Sequence, residues 1–341
     1  MKAVLEKVLS GEALEETEGR AIFGAMMDGE VSPTVMAAFL AAMRTRGETP
    51  QELAALARVM MDRAVRIGPR RFPLVDTCGT GGDGQATVNV STLAALVVAG
   101  AGVAVAKHGN RSVSSKCGSA DVLEDLGLDI TLIPQRVARS IEEVGFGFLF
   151  APLFHPSMAH AAPVRKELGV RTIFNMLGPM VNPAGVDHQV VGVPTVAGAY
   201  IMAQAFQMLG KKKVLMIHGL EGLDEVSPQG ETLVLEVTTQ GIVEETVSPK
   251  TFGFPFVPLD EIKVSGREEA VERARAILEN RGDDPARYVV IMEAGMAIYC
   301  AGQARTPLQG VDRAQGALES GRALAVLERS IEFSRRAAVE V

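Results

Sequence analysis

The stretch DTCGTGGDGQATVNVST, residues 76–92, places Gly79, Gly81, Gly82 and Gly84 between a strand-like segment and an apolar helix. Glycine loses more conformational entropy on folding than any other residue. A cluster of this kind therefore marks left-handed turns or a ligand that lies against the main chain. The surrounding pattern decides what this loop holds and what fold presents it.

The spacing of these glycines also fits G-x-G-x-x-G, the dinucleotide-binding fingerprint. That fold begins its helix inside the motif and carries an acidic residue about 20 positions later. In this chain the helix is predicted to begin only near Ser91, and Lys107 stands where the acid is expected. No GK[ST] follows to complete a P-loop. The motif alone therefore leaves a structural turn and a phosphate loop open.

From the glycine stretch onward, strand-like and helix-like segments alternate, which predicts a largely parallel sheet with helices on its faces. The predicted strands are residues 72–78, 102–108, 128–133, 146–152, 188–193, 212–219, 231–238 and 288–292. The predicted helices are residues 91–100, 119–127, 134–145, 266–280 and 312–333.

The first 68 residues are predicted to be helical throughout. One helix has Ser32 as its N-cap and Pro33 at its first position, and Thr49 with Glu52 forms a capping box for the next. The predicted fold is therefore α/β, with a small all-helical domain (1–70) and a larger catalytic domain (71–341) that has a mostly parallel sheet. Residues 165–185 are expected to pack near the helical domain.

Composition excludes several classes of protein. The net charge of −7 provides no overall attraction for nucleic acid or anionic lipid. Three cysteines without a CxxC pair are too few for a disulfide framework and indicate a reducing compartment. The acidic, amphipathic N-terminus does not resemble a secretory signal, and no apolar run is long enough to span a bilayer. We expect a soluble, cytoplasmic protein.

The second predicted strand ends in KHGNRSVSSKCGS, residues 107–119, which combines cations, hydroxyls and glycines. Ligands of open α/β sheets bind at the carboxyl ends of the strands, where neighbouring loops meet. The segment NVST, residues 89–92, begins a helix, where free amides and the helix dipole favour an anion. Together these loops predict a phosphate cradle.

At this level of detail the chain resembles anthranilate phosphoribosyltransferase, which joins anthranilate to phosphoribosyl pyrophosphate in tryptophan biosynthesis. The resemblance rests on GTGGD (79–83), NVST (89–92), KHGNRSVSS (107–115), GSADVLEDLG (118–127) and RTIFNMLGPMVNP (171–183). It implies a helical domain on a larger α/β domain of the nucleoside phosphorylase and phosphoribosyltransferase type. It also implies a homodimer formed through the N-terminal helices.

The resemblance further implies which residues bind phosphoribosyl pyrophosphate. They are Gly79, Gly82, Asp83, Thr87, Asn89, Val90, Ser91, Thr92, Lys107, His108, Gly109, Asn110, Arg111, Ser112, Val113, Ser114, Ser115 and Ser119. In this interpretation the pyrophosphate and ribose lie against the glycine backbone. Met292 and Glu293 depart from the family pattern and are expected to lie at the periphery, outside the site.

A pyrophosphate leaving group normally requires Mg²⁺, which binds few carboxylates together with phosphate and water. The adjacent acids Asp224 and Glu225 follow a predicted strand. An isolated Asp–Glu pair is usually a solvated surface feature. The resemblance implies that this pair binds Mg²⁺ and that Ser91 adds a ligand.

The acceptor carries a carboxylate, so a cation is expected away from the phosphate loops. Arg165, Lys166 and Arg171 are candidates, and a guanidinium suits a carboxylate best because it forms two parallel bonds. The resemblance selects Arg165, with Asn110 and Gly79 on the phosphate side of the acceptor. His108 and His155 are acid–base candidates, but the acceptor amine is neutral at pH 7, so no general base is assigned.

Two alternatives remain at this stage. Pyrimidine nucleoside phosphorylases share the architecture and also hold phosphate on a glycine loop, but they need inorganic phosphate and a nucleoside instead of Mg²⁺. A non-catalytic relative that binds nucleic acid would need a basic face, which the net charge of −7 disfavours.

Overall fold

The computed structural model describes residues 2–111 and 117–339 of the 341-residue chain. Its N-terminal region is helical, with α1 (Lys2–Leu9), α2 (Glu16–Met27), α3 (Pro33–Arg46) and α4 (Pro50–Asp62). The predicted capping box is present, because Thr49 Oγ1 accepts the Glu52 amide at 3.3 Å and Glu52 accepts the Thr49 amide at 3.0 Å. Helix α3 begins at Pro33 as predicted, although the Ser32 side chain makes no capping bond.

Within the described residues, seven strands form one sheet in the order β3-β2-β1-β4-β5-β6-β7. The strands are β1 (Leu74–Gly79), β2 (Ala104–Gly109), β3 (Phe146–Phe150), β4 (His188–Gly192), β5 (Lys213–Gly219), β6 (Thr232–Thr238) and β7 (Gly241–Val247). The first five are parallel, whereas β6 and β7 are antiparallel additions at one edge. The predicted α/β fold with a mostly parallel sheet is confirmed.

Helices cover both faces of this sheet. They are α5 (Val90–Gly100), α6 (Ser119–Asp125), α7 (Pro134–Glu143), α8 (Ala151–Phe154), α9 (Met158–Leu168), α10 (Phe174–Leu177), α11 (Val196–Met208), α12 (Arg267–Leu278), α13 (Ala286–Cys300), α14 (Pro307–Glu319) and α15 (Arg322–Val339). Short 3₁₀ segments are Gly178–Val181, Pro249–Phe252 and Leu259–Ile262.

Two large apolar cores lie on opposite sides of the sheet. One packs α5 against α13, which explains why nearly every residue of both helices is apolar and buried. The other joins the sheet and α11 to the N-terminal helices, with α4 against α11. Helix α9 contacts α2 and α3, and α10 contacts α4. The segment around residues 158–181 therefore lies between the N-terminal helices and the sheet.

Several segments differ from the sequence-based predictions, and helices α9 and α11 were not predicted. Residues 128–133 are not a strand, because the Asp129 carboxylate accepts the Thr131 amide and hydroxyl and closes a turn. Residues 288–292 lie inside the buried helix α13, since a short apolar run fits a buried helix as well as a strand. Strand β7 was not predicted. The single helix predicted at 312–333 is two helices, broken at Gly321, whose φ is +73°.

Among the described residues, no helix combines the length and apolarity that crossing a membrane would require.

Candidate active site

The candidate site lies where the direction of strand order reverses. Strand β1 is flanked by β2 on one side and by β4 on the other, so the chain crosses to opposite sides of β1. Loops diverge at such a point and leave a crevice at the carboxyl ends of the strands. A cavity of about 860 Å³ lies there. It is lined by the segments that follow β1, β2 and β5 and by α9 and α10.

The glycine loop begins where β1 ends. Gly81, Gly82 and Gly84 have φ values of +62°, +82° and +73°, in the left-handed region that glycine adopts without steric cost. A Cβ on Gly82 would lie 1.5 Å from Nη1 of Arg171, which donates a 2.7 Å hydrogen bond to the Gly81 carbonyl. The left-handed backbone favours glycine at position 82, and the absence of a Cβ leaves room for the Arg171 guanidinium.

A second close approach explains the glycines that end β1 and β4. Gly79 and Gly192 are partners across the parallel ladder. The segment that carries Asp224 crosses directly over this pair. A Cβ on Gly192 would lie 1.7 Å from the Asp224 carbonyl oxygen, and a Cβ on Gly79 would lie 3.0 Å from Asp224 Oδ2. Because Gly79 and Gly192 have no side chains, the segment with the Asp224 carboxylate can lie directly at the strand ends.

The N-terminus of α5 meets the acidic pair. The Ser91 amide donates to Glu225 Oε1 at 3.3 Å, and Thr77 Oγ1 donates to the Ser91 carbonyl at 2.8 Å. Asn89 donates through Nδ2 to the Cys117 carbonyl at 2.9 Å, and within the described residues its Oδ1 is buried without a partner. The helix N-terminus, the acidic pair and the end of β1 therefore form one connected surface of the cavity.

Lys107 is almost completely buried at the end of β2, with 1% of its surface exposed. Its Nζ donates to the Thr77 carbonyl at 2.5 Å. Burial lowers its pKa, while the negative charge of Asp76 opposes that shift. Asp76 in turn accepts the His108 amide at 3.3 Å and Asn182 Nδ2 at 2.8 Å. This buried network fixes the ends of β1 and β2 relative to each other.

Four carboxylates converge beside the glycine loop. Burial raises the pKa of Asp224 to about 7, and the charge of Asp83 adds to the shift. Burial, with the charge of Glu293 next, also raises the pKa of Glu225. Glu293 on α13 has its pKa raised to about 7 by burial, and its Oε2 accepts the Val226 amide at 3.2 Å. Such crowding disfavours the anionic forms and would be relieved by a cation.

The donor set of this cluster fits Mg²⁺. The side-chain donors are oxygens, and within the described residues one oxygen each of Asp83 and Glu293 is buried without a hydrogen bond. No group of three or more His, Cys, Asp or Glu in that same part of the chain is arranged to hold a metal alone. Mg²⁺ typically takes one or two carboxylates and completes its shell with phosphate and water.

The opposite wall of the cavity carries a cation. The Arg165 guanidinium lies 5.4 Å above the centre of the Phe174 ring, and burial lowers its pKa. No ion pair or hydrogen bond to this guanidinium is formed in residues 2–111 or 117–339. A half-buried guanidinium that stacks on a ring and keeps its donors free suits a planar ligand with a carboxylate.

A pair of neutral imidazoles lies in the same cavity. The rings of His108 and His155 are 5.1 Å apart in an edge-on arrangement, and His108 Nδ1 lies 3.1 Å from the Gly178 carbonyl. Burial lowers the pKa of His108 to about 3 and that of His155 to about 4. Both rings line the cavity and are therefore neutral there near pH 7.

The shifted pKa of His155 predicts a measurable dependence of stability on pH. The value falls from its ordinary 6.5 to about 4 on folding, so the unfolded chain binds more protons between these values. The contribution of His155 to the free energy of unfolding should thus be fully present above pH 6.5 and should decrease as the pH drops towards 4. As the pH falls through this window, the free energy of unfolding should decrease in both proteins. We expect the decrease to be smaller in a His155→Phe variant than in the wild type, by on the order of 1–3 kcal/mol.

Urea unfolding of both proteins at pH 7.5, 6 and 5 measures this difference. The control is His160→Phe, because His160 is exposed and lies only five positions further along the chain. Equal acid sensitivity of the wild type and the His155→Phe variant would contradict the assignment of His155 as a buried neutral group.

The structure brings most of the predicted site residues to one cavity. Those that line it are Gly79, Gly82, Asp83, Thr87, Asn89, Ser91, Thr92, Lys107, His108, Gly109, Asn110, Arg111, Ser119, Arg165, Asp224 and Glu225. Val90 does not line it, because its side chain is buried in the core and its amide donates to the Val88 carbonyl at 2.7 Å. Ser112, Val113, Ser114 and Ser115 lie outside the described residues.

Arg111 lines the cavity with its guanidinium already paired. It donates to both Glu124 carboxylate oxygens at 2.7 and 2.8 Å and to Asp121 at 3.1 Å. These bonds raise its pKa further. A ligand phosphate would have to share this guanidinium with Glu124.

Sequence analysis did not assign Arg171 or Glu293 to the site. Arg171 was considered only as an acceptor cation, and the structure places it on the glycine loop. Glu293 was predicted to lie at the periphery, but it is buried beside the acidic pair. An unpaired acid within a strongly apolar segment was the available signal, because buried carboxylates need a partner or a function.

The comparisons with known proteins match both parts of this architecture. Residues 71–324 match the glycosyl transferase family a/b domain, and residues 2–64 match its helical bundle domain. The fold and the site thus define a glycosyl transferase of this two-domain class. The chain is 46% identical over 340 residues to anthranilate phosphoribosyltransferase of Rubrobacter xylanophilus, covering 99% of this chain and 98% of that one. The chain belongs to the anthranilate phosphoribosyltransferase family.

Solved structures agree with this assignment. The crystal structure of anthranilate phosphoribosyltransferase (TrpD) from Thermus thermophilus matches with a TM-score of 0.91 and 47% identity, covering 97% of this chain and 99% of that one. The Saccharomyces cerevisiae enzyme in complex with PRPP and Mg matches with a TM-score of 0.90 and 27% identity, covering 98% and 99%.

Proposed function

We propose that this chain transfers the phosphoribosyl group of phosphoribosyl pyrophosphate to the amine of anthranilate. The products are N-(5-phosphoribosyl)anthranilate and pyrophosphate, and the reaction belongs to tryptophan biosynthesis. The observation that supports this most is the division of the cavity into two walls. One wall joins the glycine loop, the α5 N-terminus and the acidic pair, and the other carries the Arg165 guanidinium, which has no ion pair or hydrogen bond within the described residues.

The phosphate wall is proposed to bind the donor. Gly79, Gly82, Asp83, Thr87, Asn89 and the first turn of α5 hold the pyrophosphate and ribose. Val90 takes part only through the backbone of that turn. The segment 107–115 and Ser119 enclose the donor from the second loop, with Lys107 adding positive charge from beneath it. Helix N-terminal amides and the dipole stabilise the anion there.

Mg²⁺ is proposed to be held by Asp224 and Glu225 with a contribution from Ser91. When bound, the ion supplies positive charge for the departing pyrophosphate. The protein's part is to keep the carboxylates at the strand ends, which Gly79 and Gly192 achieve by leaving room for the Asp224 segment. The S. cerevisiae relative solved with PRPP and Mg supports this proposal.

The acceptor is proposed to lie between Arg165, Asn110 and Gly79. Arg165 binds the carboxylate of anthranilate and aims the amine at the anomeric carbon of the ribose. Displacement there passes through an oxocarbenium-like state, so positioning and charge stabilisation provide most of the rate enhancement. The aromatic amine is already neutral at pH 7, so its lone pair is available and no residue is assigned as a general base.

We further propose a cytoplasmic homodimer that contacts neither nucleic acid nor membrane. Residues 1–70 would serve dimerisation and the acceptor side, and residues 71–341 would carry the chemistry. The net charge of −7 supports the absence of a nucleic-acid partner.

The comparisons do not favour the pyrimidine nucleoside phosphorylase alternative, and a paired assay separates the two activities. The purified chain is incubated with phosphoribosyl pyrophosphate, anthranilate and Mg²⁺, or with a pyrimidine nucleoside and inorganic phosphate. Mass spectrometry then follows the products. We expect the phosphoribosylated acceptor and pyrophosphate in a one-to-one ratio in the first mixture. Free base and ribose 1-phosphate from the second mixture alone would overturn the proposal.

A further inference from the structure

The glycine loop is tied across the cavity by a side chain from the opposite wall. Arg171 lies between the end of α9, the helix that carries Arg165, and the beginning of α10. Its Nη1 donates to the Gly81 carbonyl at 2.7 Å, and its guanidinium occupies the space next to Gly82 that any other residue would fill.

The backbone that carries Arg171 is itself anchored. Gly169 ends α9 in the left-handed conformation, with φ of +62°. The Thr172 amide donates to Asn175 Oδ1 at 2.9 Å, and Asn175 belongs to α10. Helix α10 packs on α4 of the N-terminal region. The Arg171 guanidinium therefore extends from a backbone segment that is held in place.

The glycine loop that the Arg171 guanidinium contacts is less constrained by its own sequence than the segment that carries Arg171. Four of its residues have positive φ, and three of these are the glycines Gly81, Gly82 and Gly84. Without side chains, a glycine backbone has many conformations to lose when it becomes ordered. The flanks are held by Thr80, whose amide donates to the Gly192 carbonyl at 2.9 Å, and by Val88, whose amide donates to the Ile262 carbonyl at 3.0 Å. Arg171 holds the tip between these flanks.

We propose that Arg171 is a positioning residue that holds the glycine loop in its donor-binding conformation by linking the loop tip to the acceptor wall. Its ordering effect is established before the donor arrives, so donor binding does not have to order the loop. The assignment of the loop to donor binding rests on the proposed function, whereas the ordering itself does not. Because Arg171 directly follows the helix that carries Arg165, the link also connects the two substrate walls.

Hydrogen–deuterium exchange of the ligand-free protein tests the link without relying on activity. In Arg171→Ala we expect amides of residues 80–86 to exchange at least 10-fold faster than in the wild type. Arg171→Lys should restore part of the protection, since an ammonium can still donate one bond to a carbonyl. The control is Arg66→Ala, which also removes an arginine that donates to a backbone carbonyl, that of Met61, but outside the cavity.

Steady-state kinetics provide a second test of the role of Arg171. We expect Arg171→Ala to raise the KM for phosphoribosyl pyrophosphate about 10-fold, with the KM for anthranilate changed less than 2-fold. A raised donor KM with unchanged exchange would show that Arg171 binds the donor directly, and this would overturn the proposal. Unchanged exchange and unchanged kinetics would overturn it as well, as would a raised KM for anthranilate alone. If the wild type transfers no phosphoribosyl group, the exchange experiment still decides whether the link exists.

Discussion

An Arg165→Ala variant is expected to have a KM for anthranilate about 30- to 150-fold above that of the wild type, with little change in kcat. Among residues 2–111 and 117–339 no group forms a hydrogen bond or ion pair with the guanidinium over the Phe174 ring, so we expect it to bind the carboxylate of the acceptor. Removing a hydrogen bond to a charged group costs roughly 2–3 kcal/mol of binding. Initial rates at saturating phosphoribosyl pyrophosphate and varied anthranilate measure the effect.

Two controls isolate the carboxylate contact. Arg165→Lys keeps the charge but loses the planar fork, so it should recover only part of the affinity. An aromatic amine without a carboxylate should be a poor acceptor whose rate is insensitive to the loss of Arg165. A variant that binds anthranilate normally and loses affinity for the donor would place Arg165 on the phosphate wall and contradict the acceptor assignment.

A Gly192→Ala variant is expected to lose at least about 100-fold in kcat/KM, although Gly192 bears no chemically reactive group. The added methyl would lie 1.7 Å from the Asp224 carbonyl oxygen, so the acidic segment must move away from the strand ends. A displacement of about 1 Å in a positioned group can cost about this factor. The added strain should also lower the free energy of unfolding by about 1–3 kcal/mol.

The kinetic effect of Gly192→Ala is measured together with the concentration of Mg²⁺ needed for half-maximal rate, which should rise. Gly68→Ala is the matched control, because a Cβ on Gly68 meets no atom within 4 Å and its φ lies outside the left-handed region. Wild-type activity and an unchanged Mg²⁺ requirement in Gly192→Ala would contradict the role given to the Asp224 segment.

Local sequence patterns predicted much of the fold because they report burial and chain direction. Alternation of strands and helices predicted the parallel part of the sheet, and the Thr49–Glu52 pattern predicted the beginning of α4. The order β3-β2-β1-β4 was not predicted, since strand order depends on tertiary packing. Helix α13 was partly mistaken for a strand, because buried helices and buried strands share apolar runs. Strand β7 is exposed over much of its length and lacks a strong pattern.

The site was predictable where its residues are close in sequence, as in the loops after β1 and β2. Contacts between distant segments were not, because nothing local shows that Arg171 reaches Gly82 or that Asp224 crosses Gly192. The glycine cluster illustrates the limit. Its sequence predicted a ligand against the backbone, and the structure places the Arg171 guanidinium next to Gly82 and the Asp224 carboxylate next to Gly79.

The most direct test of the proposed reaction is the loss of anthranilate fluorescence on addition of phosphoribosyl pyrophosphate, with Mg²⁺ or with an excess of chelator. We expect rapid loss of fluorescence with Mg²⁺ and almost none in the chelator, with restoration of the reaction when Mg²⁺ is added back. Fluorescence that stays constant in Mg²⁺ would contradict the assignment of this cavity to phosphoribosyl transfer, and equal loss in both conditions would contradict the metal site.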